Sequence, residues 1–245
     1  MRLNPHPLPA HRLALAAIAV AAGLAGCGGD STPALQISGT AATGAPVVNG
    51  AVTATCKTGS GNAVTDAQGG FQVFVGNGEG PCLLKLVPAS GGVATLYSMA
   101  SGTSTSLTGN ITTLTNLLVN YLTKVPITGA TAPATPETWF QLPATQSLLA
   151  VPAAVDARIV NDFLPVITTL STNGGHPITL TSTDFLRTPF SPVVSNPQDA
   201  VLETLVTATV VTSTGTPAPA TTTTLTTAAT DDTAVPPATT GTGGS

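Results

Sequence analysis

Charge is what this 245-residue sequence has least of: Asp, Glu, Lys and Arg together make 7% of it, and aromatic residues only 4%. A catalytic centre is ordinarily a convergence of titratable groups in one pocket, so few side chains are on offer to build one. Histidine is almost absent too. Of three in the chain, only His176 lies beyond the first twelve residues. Basic residues are scarcer than acidic ones, seven against eleven, and two of the seven are Arg2 and Arg12. From Cys27 onward five basic side chains face eleven acidic ones, a net charge of −6. That balance excludes binding to nucleic acid or anionic lipid through charge, since both require clustered Lys and Arg. A membrane-crossing run is missing as well: Leu13 to Leu24 holds twelve residues without a polar side chain, well short of the roughly 20 that span a bilayer.

That short apolar run follows Arg2 and Arg12 with no acid before it, which is the pattern of a secretory signal peptide over residues 1–26. Directly after it stands Leu24-Ala25-Gly26-Cys27, which resembles the lipobox of bacterial lipoproteins. The resemblance implies cleavage before Cys27, alkylation of its thiol by diacylglycerol and acylation of its amine, typically by palmitate. Each buried methylene contributes about 0.8 kcal/mol, so two or three chains anchor a protein that one holds only weakly. The plainer alternative is an export signal cleaved after Gly26 that leaves a free thiol. Residues 27–34, small and polar, read as a tether. Gly28, where enteric bacteria place Asp to retain a lipoprotein on the inner membrane, favours the outer membrane.

Residues 35–110 carry the period of strands. Ala51 to Lys57 alternates, with Val52, Ala54 and Cys56 on one face; Phe71 to Val75 and Cys82 to Val87 do likewise. Asp66, followed by Gly69 and Gly70, supplies a turn in which its carboxylate caps backbone amides two residues on. Short strands joined by such turns predict a small sandwich. Cys56 and Cys82 are the remaining cysteines, both on core faces, and export leads to an oxidising compartment, so a disulfide between them is expected. A metal site would need histidine partners, and a catalytic thiol a neighbouring base; neither is visible in the sequence.

The run Ser38-Gly39-Thr40-Ala41-Ala42-Thr43-Gly44-Ala45-Pro46-Val47-Val48-Asn49-Gly50-Ala51-Val52-Thr53, with Thr65-Asp66-Ala67-Gln68-Gly69-Gly70-Phe71 after it, resembles the carboxypeptidase regulatory-like domain. The resemblance implies a transthyretin-like sandwich of about seven strands, used as a structural or binding module, and brings no catalytic residue. Asp66 as a calcium ligand is the rival to Asp66 as a turn cap, but other carboxylates do not converge on it at the spacing of a calcium loop.

From residue 111 to 211 the period becomes helical. Leu114, Leu117, Leu118, Tyr121 and Leu122 form one stripe. Thr135-Pro136-Glu137 and Asn196-Pro197-Gln198-Asp199 read as helix starts, each with a cap, a first-turn proline and an acid. Val155, Ile159, Phe163, Val166 and Leu170 align on a segment opened by Pro152, which Pro165 should kink or end. Three or four short packed helices are expected. The acids Asp156, Asp162, Asp184, Asp199 and Glu203 are scattered; only Asp199 and Glu203 share a face one turn apart. Such a pair could serve acid and base work, though acids near a helix start are commonly solvated caps. His176 sits in the turn Asn173-Gly174-Gly175-His176-Pro177, with no nucleophile elbow in the chain to accompany it. Asn110-Ile111-Thr112 matches a glycosylation sequon, a chance match in a bacterial lipoprotein.

Residues 212–245 hold fourteen threonines and, as sizeable aliphatics, only Leu225 and Val235. So little apolar surface predicts a flexible coil, a linker or an O-glycosylated extension. The sequence thus predicts an α+β protein: a small Greek-key β-sandwich, a short helical region and a disordered C-terminal tail. It further predicts a lipid-anchored, non-enzymatic envelope protein without cofactor or metal. Its contacts would be membrane lipid through acylated Cys27 and an envelope protein or glycan, with no nucleic acid. The alternative is an envelope hydrolase working through carboxylates of the helical region.

Overall fold

Alternating burial along the first strands decides the architecture. A computed structural model of the chain describes residues 34–89, 92–193 and 195–238; the signal segment and Cys27 lie outside them. Strands β1 (Leu35–Ala42), β4 (Gly70–Val75), β7 (Ser106–Thr108) and β8 (Ile111–Thr112) make one sheet; β2 (Ala51–Thr58), β3 (Ser60–Val64), β5 (Glu79–Val87) and β6 (Leu96–Ala100) make the other. In the first, β1 is central, antiparallel to β4 and parallel to β7 and β8. The second is antiparallel throughout, in the order β3-β2-β5-β6. The chain therefore leaves β1 for the second sheet, returns as β4 to pair with β1, and crosses again, the connectivity of a Greek-key sandwich. Ile37, Val52, Ala54, Val73, Leu84 and Leu86 fill the space between the sheets with no exposed surface. Cys56 and Cys82 face each other across β2 and β5 and are joined by a disulfide. The Asp66 turn forms as its sequence requires: Oδ1 accepts from the amides of Gln68 and Gly70, each at 2.8 Å, and Gly69 takes a φ of 77°.

Burial on β5 is nearly continuous, and the cause is its second face. Leu83 on β5 and Met99 on β6 point away from the sandwich into a second core, with Leu114, Leu117, Leu118 and Trp139. This helical layer comprises α1 (Thr113–Leu122), α2 (Pro136–Phe140), α3 (Pro143–Leu149), α4 (Pro152–Arg158), α5 (Leu164–Asn173), α6 (Asp184–Arg187), α7 (Pro197–Thr207) and α8 (Pro219–Asp231), with a π-helical turn, Ile159–Phe163, between α4 and α5. The starts of α2, α4 and α7 are those written in the sequence, and the described residues hold eight α-helices where three or four were expected. Thr112 and Thr135 each close a capping box with a threonine three residues on. The Asn196 side chain accepts from the Gln198 amide. Proline stands in the first turn of α2, α3, α4, α7 and α8, where a missing N–H costs nothing.

Two segments depart from expectation. Pro165 neither ends nor simply kinks its helix. It has no amide to give Asn161, and the chain inserts a wider turn in which the Leu164 amide bonds the Ile159 carbonyl, five residues back. The extra residue shifts the apolar stripe: Val155, Ile159 and Phe163 are buried as expected, but Leu164 and Ile167 then take the inward positions, leaving Val166 and Leu170 half-buried. The second departure is the C-terminus. The disordered tail expected from residue 212 does not begin there: residues 219–231 form α8, with Thr221, Leu225 and Ala229 buried at successive i, i+4, i+8 positions. Threonine is a poor helix former, yet Thr222, Thr223, Thr224 and Thr226 each donate their hydroxyl to the carbonyl four residues back, and packing overrides propensity. Beyond it, Val235 is buried and exchanges backbone hydrogen bonds with Pro126 and Thr128.

Candidate functional site at the sandwich–helix junction

A buried asparagine fastens the two layers. Asn110, just before β8, has no exposed surface. Its Oδ1 accepts from the Thr40 amide at 3.0 Å, while Nδ2 donates to the carbonyls of Phe185 and Thr188 at 3.1 and 2.8 Å. Its backbone N–H donates to Leu186. A central strand, a strand end and α6 with its following loop are thereby set against one another. The same burial answers the sequon, because the Asn110 amide nitrogen is fully occupied inside the fold.

Beside this junction lies a cavity of about 400 Å³. Its floor is apolar, from Leu114, Leu180, Phe185, Phe190, Val201 and Leu202. Its polar residues include Ser182, Asp184, Asn196 and Gln198. Ser182 donates to Asp184 at 2.8 Å, and Oδ1 of Asn196 is held as the α7 cap. Oε1 of Gln198 is buried with no hydrogen-bond partner. The lining contains no Lys, Arg or His.

Three ion pairs act as clamps between segments of the chain. Glu137 at the start of α2 accepts from Lys85 of β5 at 3.0 Å and from the Tyr97 hydroxyl of β6 at 2.6 Å. Burial works against its charge, but those two bonds outweigh it and hold Glu137 down at about 2. Burial and the bond to Glu137 push the Tyr97 hydroxyl up. Arg158 pairs with Asp232 at 2.8 Å and donates to the Thr233 carbonyl at 2.8 Å; the Tyr121 hydroxyl donates to the same Asp232 oxygen at 3.2 Å. Burial, then the Asp232 charge, raises Tyr121, and the same two causes raise Asp162. Arg187 binds both Asp156 and the Ser101 hydroxyl, the latter at 2.8 Å.

The residues singled out in the sequence are therefore dispersed. Cys27 lies outside the described residues. Cys56 and Cys82 brace the sandwich, Asp66 caps its turn, and His176 stands exposed in its loop. Of the helical acids, Asp156 is paired, Asp162 lies by the Asp232 clamp, and only Asp184 lines the cavity. Asp199 is buried with Oδ1 unpartnered, and burial followed by the charge of Glu203 raises its pKa; Glu203 itself is exposed. No group of three or more His, Cys, Asp or Glu that could hold a metal ion occurs among the described residues, and none of their helices is long and apolar enough to cross a membrane. Asn110, Gln198 and the Arg158–Asp232 clamp escape sequence reading, since their partners lie 70 or more residues away or are absent. Comparison with protein-family models, with curated proteins and with solved structures found no match.

Proposed function

We propose that this protein is a bacterial lipoprotein, cleaved before Cys27 and held on the outer membrane by acyl chains there, whose body is a non-catalytic binding module of the cell envelope. The sandwich is read as a carboxypeptidase regulatory-like domain, and the partner as an envelope protein or glycan. The observation that carries the non-catalytic reading is the use of charge: Glu137, Asp156 and Asp232 are each engaged by a cation that ties one element to another, while the junction cavity holds a single acid already bonded to Ser182. The anchor reading rests on the Leu24-Ala25-Gly26-Cys27 sequence.

A hydrolase reading draws its support from Asp199, a buried carboxylate with a raised pKa beside Glu203. It lacks a partner acid facing a cavity, which retaining and inverting carboxylate chemistry both require. The test of the anchor is Cys27→Ser in the native host. Labelled palmitate should enter the wild-type protein and not the variant, and the variant should leave the membrane fraction; unchanged association with membranes defeats the proposal.

A further inference from the structure

The helical layer packs on the outer face of the second sheet, through Leu83 and Met99, and leaves side chains on the outer face of the first exposed. Gln72, Phe74 and Ser106 stand in solvent there, beside Gln36 and Ser38 of β1. That sheet carries no charge: β1, β4, β7 and β8 contain no Asp, Glu, Lys or Arg. Phe74, 57% exposed, is the one aromatic among the large hydrophobic side chains that stand exposed in the described residues. It pairs with Gln36, and so lies at the end of the sheet where the chain enters β1. The β4–β5 turn at this end, Gly76-Asn77-Gly78, is uncharged, and the charges beside it, Lys57 and Glu79, pair with each other at 3.6 Å.

We propose that this end of the sandwich rests on the membrane surface, with Phe74 seated at the boundary of lipid headgroups and acyl chains. The inference rests on the anchor reading and gives the anchored body its orientation. Chain length carries the argument. Leu35 stands eight residues after Cys27, a reach of at most about 28 Å. The rival apolar patch, Val48, Val64 and Val87, lies at the opposite end, where Ala51 pairs with both Val64 and Val87. β1 has eight residues, about 26 Å of strand, so bringing that end to the lipid would need nearly the whole tether laid straight along the body. Phe74 needs almost none of it. One aromatic side chain cannot hold a free protein on a bilayer. Beside an anchor the contact is intramolecular, at an effective concentration of about 1 mM, and a weak contact is then populated. Charge points the same way, because a chain of net charge −6 from Cys27 onward meets an anionic lipid surface with least repulsion through an uncharged face. Seating this end turns the other away from the lipid, where Ala42 pairs with Thr112 at the wall of the junction cavity.

The lipidated full-length protein carrying Phe74→Trp is reconstituted in phosphatidylcholine vesicles with brominated acyl chains, beside the wild type and Val64→Trp. Both substituted positions are exposed, 57% and 63%, so neither change disturbs the core, and the buried Trp139 gives a constant background. The emission that Phe74→Trp adds should shift to the blue and be largely lost to the bromines. That of Val64→Trp and of the wild type should equal its value in unbrominated vesicles. A Phe74→Trp signal that brominated lipid leaves untouched overturns the seating, as does equal quenching of Val64→Trp. Intact mass of the same samples reads the acyl chains separately: chains present without quenching defeat the seating alone, and chains absent defeat the anchor and the seating with it.

Discussion

At the scale of single residues, the side chains that matter most are those whose partners are far away in sequence. Asn110 satisfies one amide and two carbonyls of other segments. Asn110→Ala removes all three bonds inside a dry interface, and we expect a loss of about 2–4 kcal/mol in urea unfolding. Glu137 makes the complementary case at a half-exposed position. Its pKa is lowered from 4.5 to about 2, so the folded state binds its proton more weakly than the unfolded chain does. The stabilisation is complete above the unfolded value and is lost as pH falls towards the folded one. Glu137→Gln should therefore cost about 1 kcal/mol at pH 7, an amount reduced by solvent screening, and the difference from wild type should vanish near pH 2. A gap that is constant with pH would show that the clamp works by packing. The sequence displayed Glu137 as a first-turn acid but gave no sign of Lys85 and Tyr97, 52 and 40 residues away. Asp66 was legible as a turn cap, because its hydrogen bonds reach only two and four residues along, although the second of them, from Gly70, was not foreseen.

At the scale of elements, legibility followed the range of the forces involved. The strands β2, β4 and β5, the stripe of α1 and the starts of α2, α4 and α7 are readable because alternation and capping are local. The π-helical turn is not, since Pro165 announces a break but the choice of a wider turn depends on which residues the stripe must deliver to the core. Nor is α8: its composition resembles solvated coil, and only Leu225, Ala229 and Val235 betray the packing. Leu225→Ala tests that element directly. If α8 is part of the body, the change removes a side chain only 2% exposed and should cost about 2–4 kcal/mol in chemical denaturation. On a loose tail the same substitution would stay within about 0.5 kcal/mol. Deleting residues 212–245 should be more damaging still, because it also strips Arg158 of Asp232 and leaves a guanidinium and the Tyr121 hydroxyl without their acceptor.

At the scale of the whole molecule, the second sheet is shared property. Its inner face closes the sandwich and its outer face, through Leu83 and Met99, belongs to the helical core. The α+β class was legible from the change of period near residue 111, but this double use of β5 and β6 was not: alternation marks Cys82, Leu84 and Leu86 as one inward face, and nothing local says that a distant helical layer covers Leu83 and Met99 on the other. The sharing predicts that sandwich and helices unfold as one. The chain offers a clean probe: its single tryptophan, Trp139, is buried among the helices, whereas the disulfide lies between β2 and β5 and spans 26 residues. Loop closure of that length constrains the unfolded chain by about 3.5 kcal/mol. Replacing both Cys56 and Cys82 with alanine should lower the stability reported by Trp139 fluorescence by about that amount, with the far-ultraviolet dichroism transition moving in step. If the tryptophan signal keeps its wild-type midpoint while the dichroism transition splits, the helical layer stands without the sandwich and the shared sheet does not couple them.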